Sequence, residues 1–268
     1  MIKNRRPQLG QHFLISDAYR RRVADGLAIG FDDLVLEIGP GHGAMTGLLM
    51  ERARKVVAVE IDGQLAEGLR GHFAGDERVE VKLADILQVD LAGICSDHGA
   101  ERLFAFGNLP YYITSPILHH LLDSASQLRG MAFVVQLEVA DRITAKPGSR
   151  AYGYLSVLAQ AYTRARLAFS IPPGAFSPPP AVQSALVTFE MTGALAVCDE
   201  NRTRKFLNLV KLGFAQKRKK LANNLASRYP LELARDALRS CGFSENARAE
   251  ALTVQDFIRL FDCLQPQR

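Results

Sequence analysis

Residues 34–44 of the chain read LVLEIGPGHGA. The apolar run Leu34–Ile38 predicts a buried strand, the glycines that follow predict a loop, and a helix is expected to begin at Ala44. This order of strand, glycine loop and helix brings bare backbone N–H groups close to a bound ligand. A second apolar run, Val56–Glu60, ends in a carboxylate 21 residues after Gly39, which is the spacing of an acid that binds ribose hydroxyls. The sequence therefore predicts an α/β sheet that holds a nucleotide-like ligand.

The same alternation of strands and helices continues along most of the chain. Further strands are predicted over Val79–Leu83, 103–107, Met131–Leu137, 164–171 and 182–190, and helices over 63–74, 116–123, through Val139 and Ile143, and over 154–163. The last two strands are joined by Pro172–Pro180, which leaves no room for a helix, so these strands should pair antiparallel. We therefore expect a Rossmann-like sheet of seven strands whose last strand is antiparallel.

The C-terminal part of the chain differs in pattern and in charge. Apolar residues recur there at helical spacing, as at Phe206, Val210 and Phe214. Residues 193–268 carry 14 Lys and Arg against 8 Asp and Glu, a net charge of +6, whereas residues 1–192 carry 19 against 20, a net charge of −1, and the two sum to the +5 of the whole chain. We predict a larger domain over 1–192 and a small basic helical domain over 193–268. Such a domain suggests a polyanionic partner, although a solvated helix face would show the same charge.

The segment Asn108–Tyr111 lies where the strand 103–107 is expected to give way to a helix. The helix start is indicated by Thr114–Pro116, a hydroxyl cap with a proline at a first helical position. Ligands of open α/β sheets bind at this edge. An amide, a proline and an aromatic ring are therefore predicted to stand beside the ligand, although turn residues of this kind also end strands that bind nothing.

These residues suit the chemistry of an exocyclic amino group on adenine or cytosine. Such a group is a poor nucleophile because its lone pair is delocalised into the ring. The amide oxygen of Asn108 and a backbone carbonyl held by Pro110 can accept its protons, which favours a pyramidal nitrogen with its lone pair directed outward. Tyr111 offers a stacking face, worth about 1–3 kcal/mol per base.

The glycine loop alone does not decide between two cofactors. Gly39–Ala44 satisfies both the GxGxG pattern and the dinucleotide pattern GxGxxA. An NAD enzyme needs an acid or base for hydride transfer, and none stands at a typical position nearby. S-adenosylmethionine is favoured because three acceptors close successive strands: Glu60 for the ribose, Asp85 for the adenine and Asn108 at the transfer edge.

The composition argues against several other classes of protein. The 268 residues are 48% hydrophobic, enough for one large domain and a small one. Cys95, Cys198, Cys241 and Cys263 form no CxxC pair and no histidine cluster has metal spacing, so neither a disulfide scaffold nor a metal site is expected. The start of the chain lacks a secretion signal and no apolar run approaches 18 residues, so a cytoplasmic protein with no membrane partner is expected. Asp17 should cap a helix, and the basic segment before it is either solubilising or a lid.

Six segments of the chain resemble the signatures of one enzyme family. They are Leu9–Ser16 (LGQHFLIS), Leu36–Thr46 (LEIGPGHGAMT), Asn108–Ile117 (NLPYYITSPI), Gln136–Arg142 (QLEVADR), Tyr152–Gln160 (YGYLSVLAQ) and Phe176–Leu186 (FSPPPAVQSAL). Together with Phe206–Leu225 and Arg248–Leu260, they are similar to the small-subunit ribosomal RNA adenine N6-dimethyltransferases, the kasugamycin-resistance enzymes. Met45 departs from the family, in which leucine is more usual at this place.

The resemblance implies a class I methyltransferase fold with a helical C-terminal domain and S-adenosylmethionine as the methyl donor. The implied partner is 16S rRNA within an immature small ribosomal subunit, on which a monomer would methylate two adjacent adenosines of the 3′-terminal hairpin twice each. The implied donor-binding residues are Gln11, His12, Leu14, Gly39, Gly41, Glu60, Ile61, Asp85, Ile86 and Asn108. The implied residues around the target base are Asn108, Leu109, Pro110, Tyr111 and Phe176, with Tyr111 and Phe176 stacking on a flipped base.

Two rival functions stay open at this point. The large-subunit rRNA adenine methyltransferase of macrolide resistance shares the catalytic edge, but its motif typically begins Asn-Ile-Pro-Tyr, and Phe176–Pro180 and Arg248–Leu260 fit it poorly. A non-catalytic assembly or transcription factor on the same fold would bind nucleic acid through the basic domain. Four intact site residues argue against lost catalysis: Gly39, Glu60, Asp85 and Asn108.

Overall fold

The computed structural model describes residues 11–192 and 200–265. The strands are β1 (Phe13–Leu14), β2 (Leu34–Ile38), β3 (Lys55–Glu60), β4 (Val79–Leu83), β5 (Leu103–Asn108), β6 (Leu128–Gln136), β7 (Thr163–Ile171), β8 (Phe176–Ser177) and β9 (Ser184–Met191). The helices are α1 (Asp17–Asp25), α2 (Ala44–Met50), α3 (Gly63–His72), α4 (Leu91–Asp97), α5 (Thr114–Asp123), α6 (Leu137–Thr144), α7 (Tyr154–Tyr162), α8 (Glu200–Gly213), α9 (Leu221–Leu225), α10 (Leu231–Ser240) and α11 (Val254–Leu264). Most of the basic segment before Asp17, with the first two residues of the LGQHFLIS signature, lies outside the described residues.

Seven strands form one sheet in the order β4-β3-β2-β5-β6-β9-β7. Neighbours from β4 to β6 run parallel, whereas β9 runs antiparallel to β6. All five residues of β2 are buried. Strands that are covered on both faces read as continuous apolar runs, which is why Leu34–Ile38 and 103–107 could be recognised from the sequence. The predicted Rossmann-like sheet with an antiparallel last strand is confirmed.

The parallel order brings the carboxyl ends of β2, β3, β4 and β5 to one edge of the sheet. Two of the helices that follow these strands, α3 and α4, begin at aspartate caps. The Asp62 carboxylate accepts hydrogen bonds from the N–H groups of Gln64 and Leu65 at 2.8 and 3.2 Å, at the start of α3. Asp90 accepts one from the N–H of Ala92 at 3.0 Å, at the start of α4. Each such cap stabilises its helix by about 1 kcal/mol and fixes where the chain turns back.

Two predicted helix starts are corrected by the structure. Helix α5 begins at Thr114, two residues before the predicted start, and its cap residue Ile113 makes no side-chain cap. Thr114 donates instead to the carbonyl of Pro110 at 3.4 Å. In α1 the N-cap position is held by Ser16, which makes no side-chain cap, and Asp17 is the first helical residue, whose carboxylate pairs with Arg20 one turn later. In both helices the observed N-cap position lies one residue before the predicted cap, an offset that side-chain type alone does not resolve.

A small second sheet has no counterpart among the predictions. Strand β1 pairs antiparallel with β8, so that Phe13 lies opposite Ser177 and Leu14 opposite Phe176. Strands of two residues are too short for a periodic pattern to show. Leu14 and Phe176 are both buried in the apolar core of the larger unit, which ties the segment before α1 to the core.

The chain forms two compact units whose bounds differ from the expected division at 192/193. The larger unit comprises residues 1–140 and 166–191, and the smaller unit residues 141–165 and 192–268. Helix α7 explains the difference, because seven of its nine residues are buried. A helix that is apolar nearly all round must be enclosed, and α7 is enclosed by packing on α8 and α11.

The smaller unit is held together by aromatic rings between its helices. Phe206 meets Phe261 with ring centroids 5.9 Å apart, and Phe214 meets Phe257 at 5.7 Å. The segment Lys217–Lys220, which ends the basic run, is exposed throughout. In residues 11–192 and 200–265, no helix combines the length and the apolar character needed to cross a membrane.

Candidate active site

A crevice in the larger unit opens at the carboxyl ends of β2, β3, β4 and β5. The residues that line it are Gln11, His12, Phe13, Ile38, Gly39, Gly41, Val59, Glu60, Ile61, Ala84, Asp85, Ile86, Asn108, Leu109, Pro110, Tyr111, Tyr112, Ile113 and Ile117. Most residues that the sequence analysis named for donor and target are therefore brought together. The two exceptions are Leu14 and Phe176.

The glycine loop forms the floor of the crevice next to β1. Gly41 has φ +59°, a left-handed conformation that other residues adopt only at a cost of about 1–2 kcal/mol. A Cβ at Gly41 would also come within 2.7 Å of the Phe13 ring, whereas a Cβ at Gly39 would meet nothing within 4 Å. Gly41 is thus required by close packing against Phe13, and Gly39 leaves open space on the ligand side.

Glu60 ends β3 and is almost fully buried, at 2% exposure. One carboxylate oxygen accepts from the N–H of Gly41 at 3.1 Å and the other from the N–H of Asp62 at 2.9 Å. These two bonds fix the carboxylate at the crevice wall, and each oxygen keeps a second lone pair for a ligand hydroxyl. Asp85 is held in a similar way, because its Oδ1 accepts from the N–H of Leu87 at 3.0 Å.

Glu37 is a buried titratable residue of β2 that does not line the crevice and to which the sequence pattern assigned no role. It lies inside β2, is 2% exposed, and accepts a hydrogen bond from the Thr46 hydroxyl at 2.6 Å. Burial raises the pKa of Glu37 from 4.5 to about 7, the Thr46 bond opposes this rise, and the charge of Glu60 adds to it. A carboxylate within an otherwise apolar strand run was the signal that could have identified it.

The side chain of Asn108 is oriented by the N-terminal segment. Its Nδ2 donates to the carbonyl oxygen of His12 at 2.8 Å. A carbonyl only accepts, so this bond identifies the amide nitrogen and leaves Oδ1 on the other side. Among the described residues none donates to Asn108 Oδ1 or to the carbonyl oxygen of Leu109. Two acceptors at the crevice are therefore ready for a ligand's protons.

The His12 ring joins the N-terminal segment to Tyr111. Its Nδ1 lies 2.7 Å from the carbonyl oxygen of Pro178, so this nitrogen carries the donated proton. The ring stacks on Tyr111 with centroids 5.4 Å apart. The Tyr111 hydroxyl bonds to Ser184 at 2.8 Å, and burial raises its pKa although this bond opposes the rise. Tyr111 is thus a neutral, positioned ring.

Two predicted site residues do not reach the crevice. Phe176 is 2% exposed and Leu14 5% exposed, and both pack in the core of the larger unit. A ring buried this completely offers no free face to a base in this structure, where Phe176 anchors β1, and its stacking on a target base stays a prediction. Conversely, Tyr112 lines the crevice and is 64% exposed, although the sequence analysis gave it no role.

The crevice fits an adenosine that carries a sulfonium methyl donor. The carboxylates of Glu60 and Asp85 suit ribose hydroxyls and an adenine amino group, while Ile61 and Ile86 offer apolar surface to a purine. The open space at Gly39 lets a ligand approach the backbone. Within the described residues, no three His, Cys, Asp or Glu side chains are grouped so as to hold a metal ion.

The chain is similar to known proteins along nearly its whole length. The family model described as "Ribosomal RNA adenine dimethylase" matches residues 2–266. A ribosomal RNA small subunit methyltransferase A from Acidobacterium capsulatum is 42% identical over 97% of this chain and 91% of the relative. A ribosomal RNA small subunit methyltransferase A from Xanthomonas campestris is 41% identical over 94% of this chain and 93% of the relative.

Solved structures show the same fold. The 23S rRNA methyltransferase ErmE superposes with a TM-score of 0.71 at 28% identity, covering 94% of this chain and 99% of the other. A dimethyladenosine transferase from Plasmodium falciparum superposes with a TM-score of 0.79 at 22% identity, covering 93% and 96%. Together with the glycine loop, the strand-end acids and the Asn-Leu-Pro-Tyr edge, these matches show that the chain belongs to the ribosomal RNA adenine dimethylase family.

Proposed function

We propose that this chain methylates the N6 amino groups of two adjacent adenosines in the 3′-terminal hairpin loop of small-subunit 16S rRNA, twice each. S-adenosylmethionine is the donor, and the substrate is a partly assembled small subunit in the cytoplasm, on which the enzyme acts as a monomer. The full-length relatives named for the small subunit support this choice of RNA. The observation that carries the proposal is the Asn108 amide, which His12 holds while no donor among the described residues reaches its oxygen or the Leu109 carbonyl.

The chemistry follows from these two acceptors. An adenine N6 donates its two protons to Asn108 Oδ1 and to the Leu109 carbonyl oxygen, which draws its lone pair out of the ring and directs it away from both. S-adenosylmethionine, when bound, supplies an electrophilic methyl group on a sulfonium. The enzyme orients the amine and excludes water, which is where most of the rate enhancement comes from. The methylated nitrogen releases its proton readily, so no general base is needed.

Stacking holds the base in place while it reacts. Tyr111 is already fixed by Ser184 and His12, and its remaining ring surface is preorganised for the target adenine. Tyr112 is exposed at the same edge and can stack on a second base of the substrate. Stacking of this kind contributes about 1–3 kcal/mol per base. Two neighbouring tyrosines suit a substrate that presents two neighbouring adenosines.

The basic residues of the smaller unit are proposed to hold the rRNA backbone. Residues 202–220 contain eight Lys and Arg and no acid, and Lys217–Lys220 is exposed. Lys and Arg that contact phosphates release counterions, so the affinity for RNA should fall steeply as salt is added. This unit therefore supplies affinity, whereas the crevice supplies chemistry.

Transfer of labelled methyl groups to immature small subunits, naked 16S rRNA and large subunits tests the proposal. We expect labelling of adenosines in immature small subunits, with little in the other two. Asn108→Ala should lose at least about a hundredfold in turnover, as when one transition-state hydrogen-bond partner is removed, while donor binding measured by calorimetry partly survives.

Each of the other possible results would indicate a different function or mechanism for this chain. Labelling of large subunits would favour the rival activity suggested by the likeness to the 23S enzyme. Binding to RNA without methyl transfer would favour a non-catalytic assembly factor. Full activity of Asn108→Ala would remove the mechanism.

A further inference from the structure

Two thiols lie close together in the smaller unit. The Sγ atoms of Cys241 and Cys263 are 3.8 Å apart, and both thiols are free. Cys241 is partly buried and Cys263 is exposed. Because a disulfide bond is about 2.05 Å long, the two sulfurs need to approach by only about 1.8 Å. Rotation about the two Cα–Cβ bonds moves the sulfurs by distances of this size.

Both cysteines are held by regular structure. Cys241 follows the last residue of α10, and its N–H donates to the Ala237 carbonyl at 3.1 Å. The helix is closed by Gly242 at φ +82°, whose N–H donates to the Arg239 carbonyl at 2.9 Å. Cys263 lies in α11, which packs on α10. The fold therefore imposes this proximity, and fixed proximity gives a high effective concentration of one thiol at the other.

The two thiols differ in their surroundings. Burial raises the pKa of Cys241 to about 11, and the hydrogen bond with Cys263 adds to the rise. Cys241 is thus protonated and partly shielded. Cys263 is exposed, so it is the thiol that meets a reagent from solution first.

We propose that Cys241 and Cys263 are a redox-active pair that a small-molecule disulfide converts into an intramolecular disulfide between α10 and α11. The Cys263 thiolate attacks one sulfur of the oxidant, whose S–S bond breaks and releases one thiolate. Cys241 then gives up its proton as its sulfur attacks the Cys263 sulfur, the mixed disulfide breaks, and a second thiolate leaves. Two electrons pass to the oxidant, and the two protons of the protein thiols go to the two released thiolates.

Mass spectrometry after oxidation of the full chain with oxidised glutathione tests this proposal. The remaining thiols are blocked by alkylation before digestion with trypsin, which releases peptides 240–248 and 260–268. We expect these two peptides joined by a disulfide. An equal mixture of isotopically light and heavy protein should give light–light and heavy–heavy pairs only.

Serine variants separate the two roles. Cys241→Ser should stop at a stable glutathione adduct on Cys263, and Cys263→Ser should react several-fold more slowly than the wild type. Buried Cys95 is the internal control and should be alkylated only after unfolding. Glutathione adducts without a joined peptide in the wild type, or joined light–heavy pairs, would overturn the proposal. Both measurements use the wild-type protein, so they do not require the serine variants to fold.

Discussion

Replacing Glu37 with glutamine should raise the free energy of unfolding above pH 7 and leave it unchanged near pH 4. Glu37 is 2% exposed inside β2 and accepts one hydrogen bond, from Thr46 at 2.6 Å. Burial raises its pKa from 4.5 to about 7. Ionisation of Glu37 in the folded protein therefore lowers the free energy of unfolding.

The sign of the effect follows from which state binds the proton more tightly. The folded pKa lies above the unfolded one, so protonation of Glu37 favours the folded state. This stabilisation is fully present below about pH 4.5 and is lost as the pH rises through about 7. The two pKa values differ by about 2.5, which corresponds to about 3 kcal/mol. Glutamine is neutral at every pH, and its side-chain carbonyl can still accept from Thr46, so Glu37→Gln escapes the loss.

Urea unfolding followed by circular dichroism at pH 4, 6 and 8.5 measures the difference. We expect the variant and the wild type to coincide at pH 4 and to diverge by about 3 kcal/mol at pH 8.5. Glu51→Gln is the matched control, because its carboxylate is 68% exposed beside Arg52. The control should stay within about 0.5 kcal/mol of the wild type throughout. A Glu37→Gln protein that is less stable than the wild type at pH 8.5, or an offset that is the same at every pH, would refute the reasoning.

Three further predictions concern the two binding surfaces. Gly41→Ala should lower the free energy of unfolding by about 1–2 kcal/mol, because Gly41 has a left-handed backbone. It should also weaken donor binding, measured by calorimetry, more than tenfold, because the Phe13 ring must move. The control Gly47→Ala lies in α2 with nothing within 4 Å of the new Cβ, and it should leave donor binding unchanged. Neutralising Lys217–Lys220 should lower the slope of log affinity against log salt by up to about 4 in subunit-binding assays, with donor affinity unchanged, and equal losses in both would contradict a phosphate contact. In the methyl-transfer assay, Tyr112→Ala should raise the KM for small subunits by about tenfold or more, as expected for a lost stacking contact. Tyr112→Phe keeps the ring and should behave as wild type. Equal effects of the two variants would argue against stacking.

The sequence was sufficient to predict the site residues that directly follow a recognisable buried strand. Gly39, Glu60, Asp85 and Asn108 each follow an apolar run, and a parallel sheet brings such ends to a single edge. Their convergence therefore needed no knowledge of side-chain contacts. The buried strands were recognisable for the same reason, since burial on both faces leaves a continuous apolar run.

The sequence was insufficient where two short, distant segments pair. Phe176 was predicted to stack on a base, but it pairs with Leu14 across a two-residue sheet and is buried there. Such short strands leave no periodic signal, so nothing in the pattern distinguished a ring in the core from a ring at the site. Tyr112 was overlooked for the opposite reason, because exposure depends on how the chain turns after Pro110.

The contacts of His12 explain why the donor and target sides of the crevice form one structure. Its carbonyl accepts from Asn108, its ring stacks on Tyr111, and its Nδ1 bonds the Pro178 carbonyl. The next residue, Phe13, packs where a side chain at Gly41 would lie. A displacement of β1 would therefore release the Asn108 amide and open the glycine loop together. The residue that handles the target amine is thus recognisable from its motif, but its orientation is set by a segment 96 residues earlier in the chain.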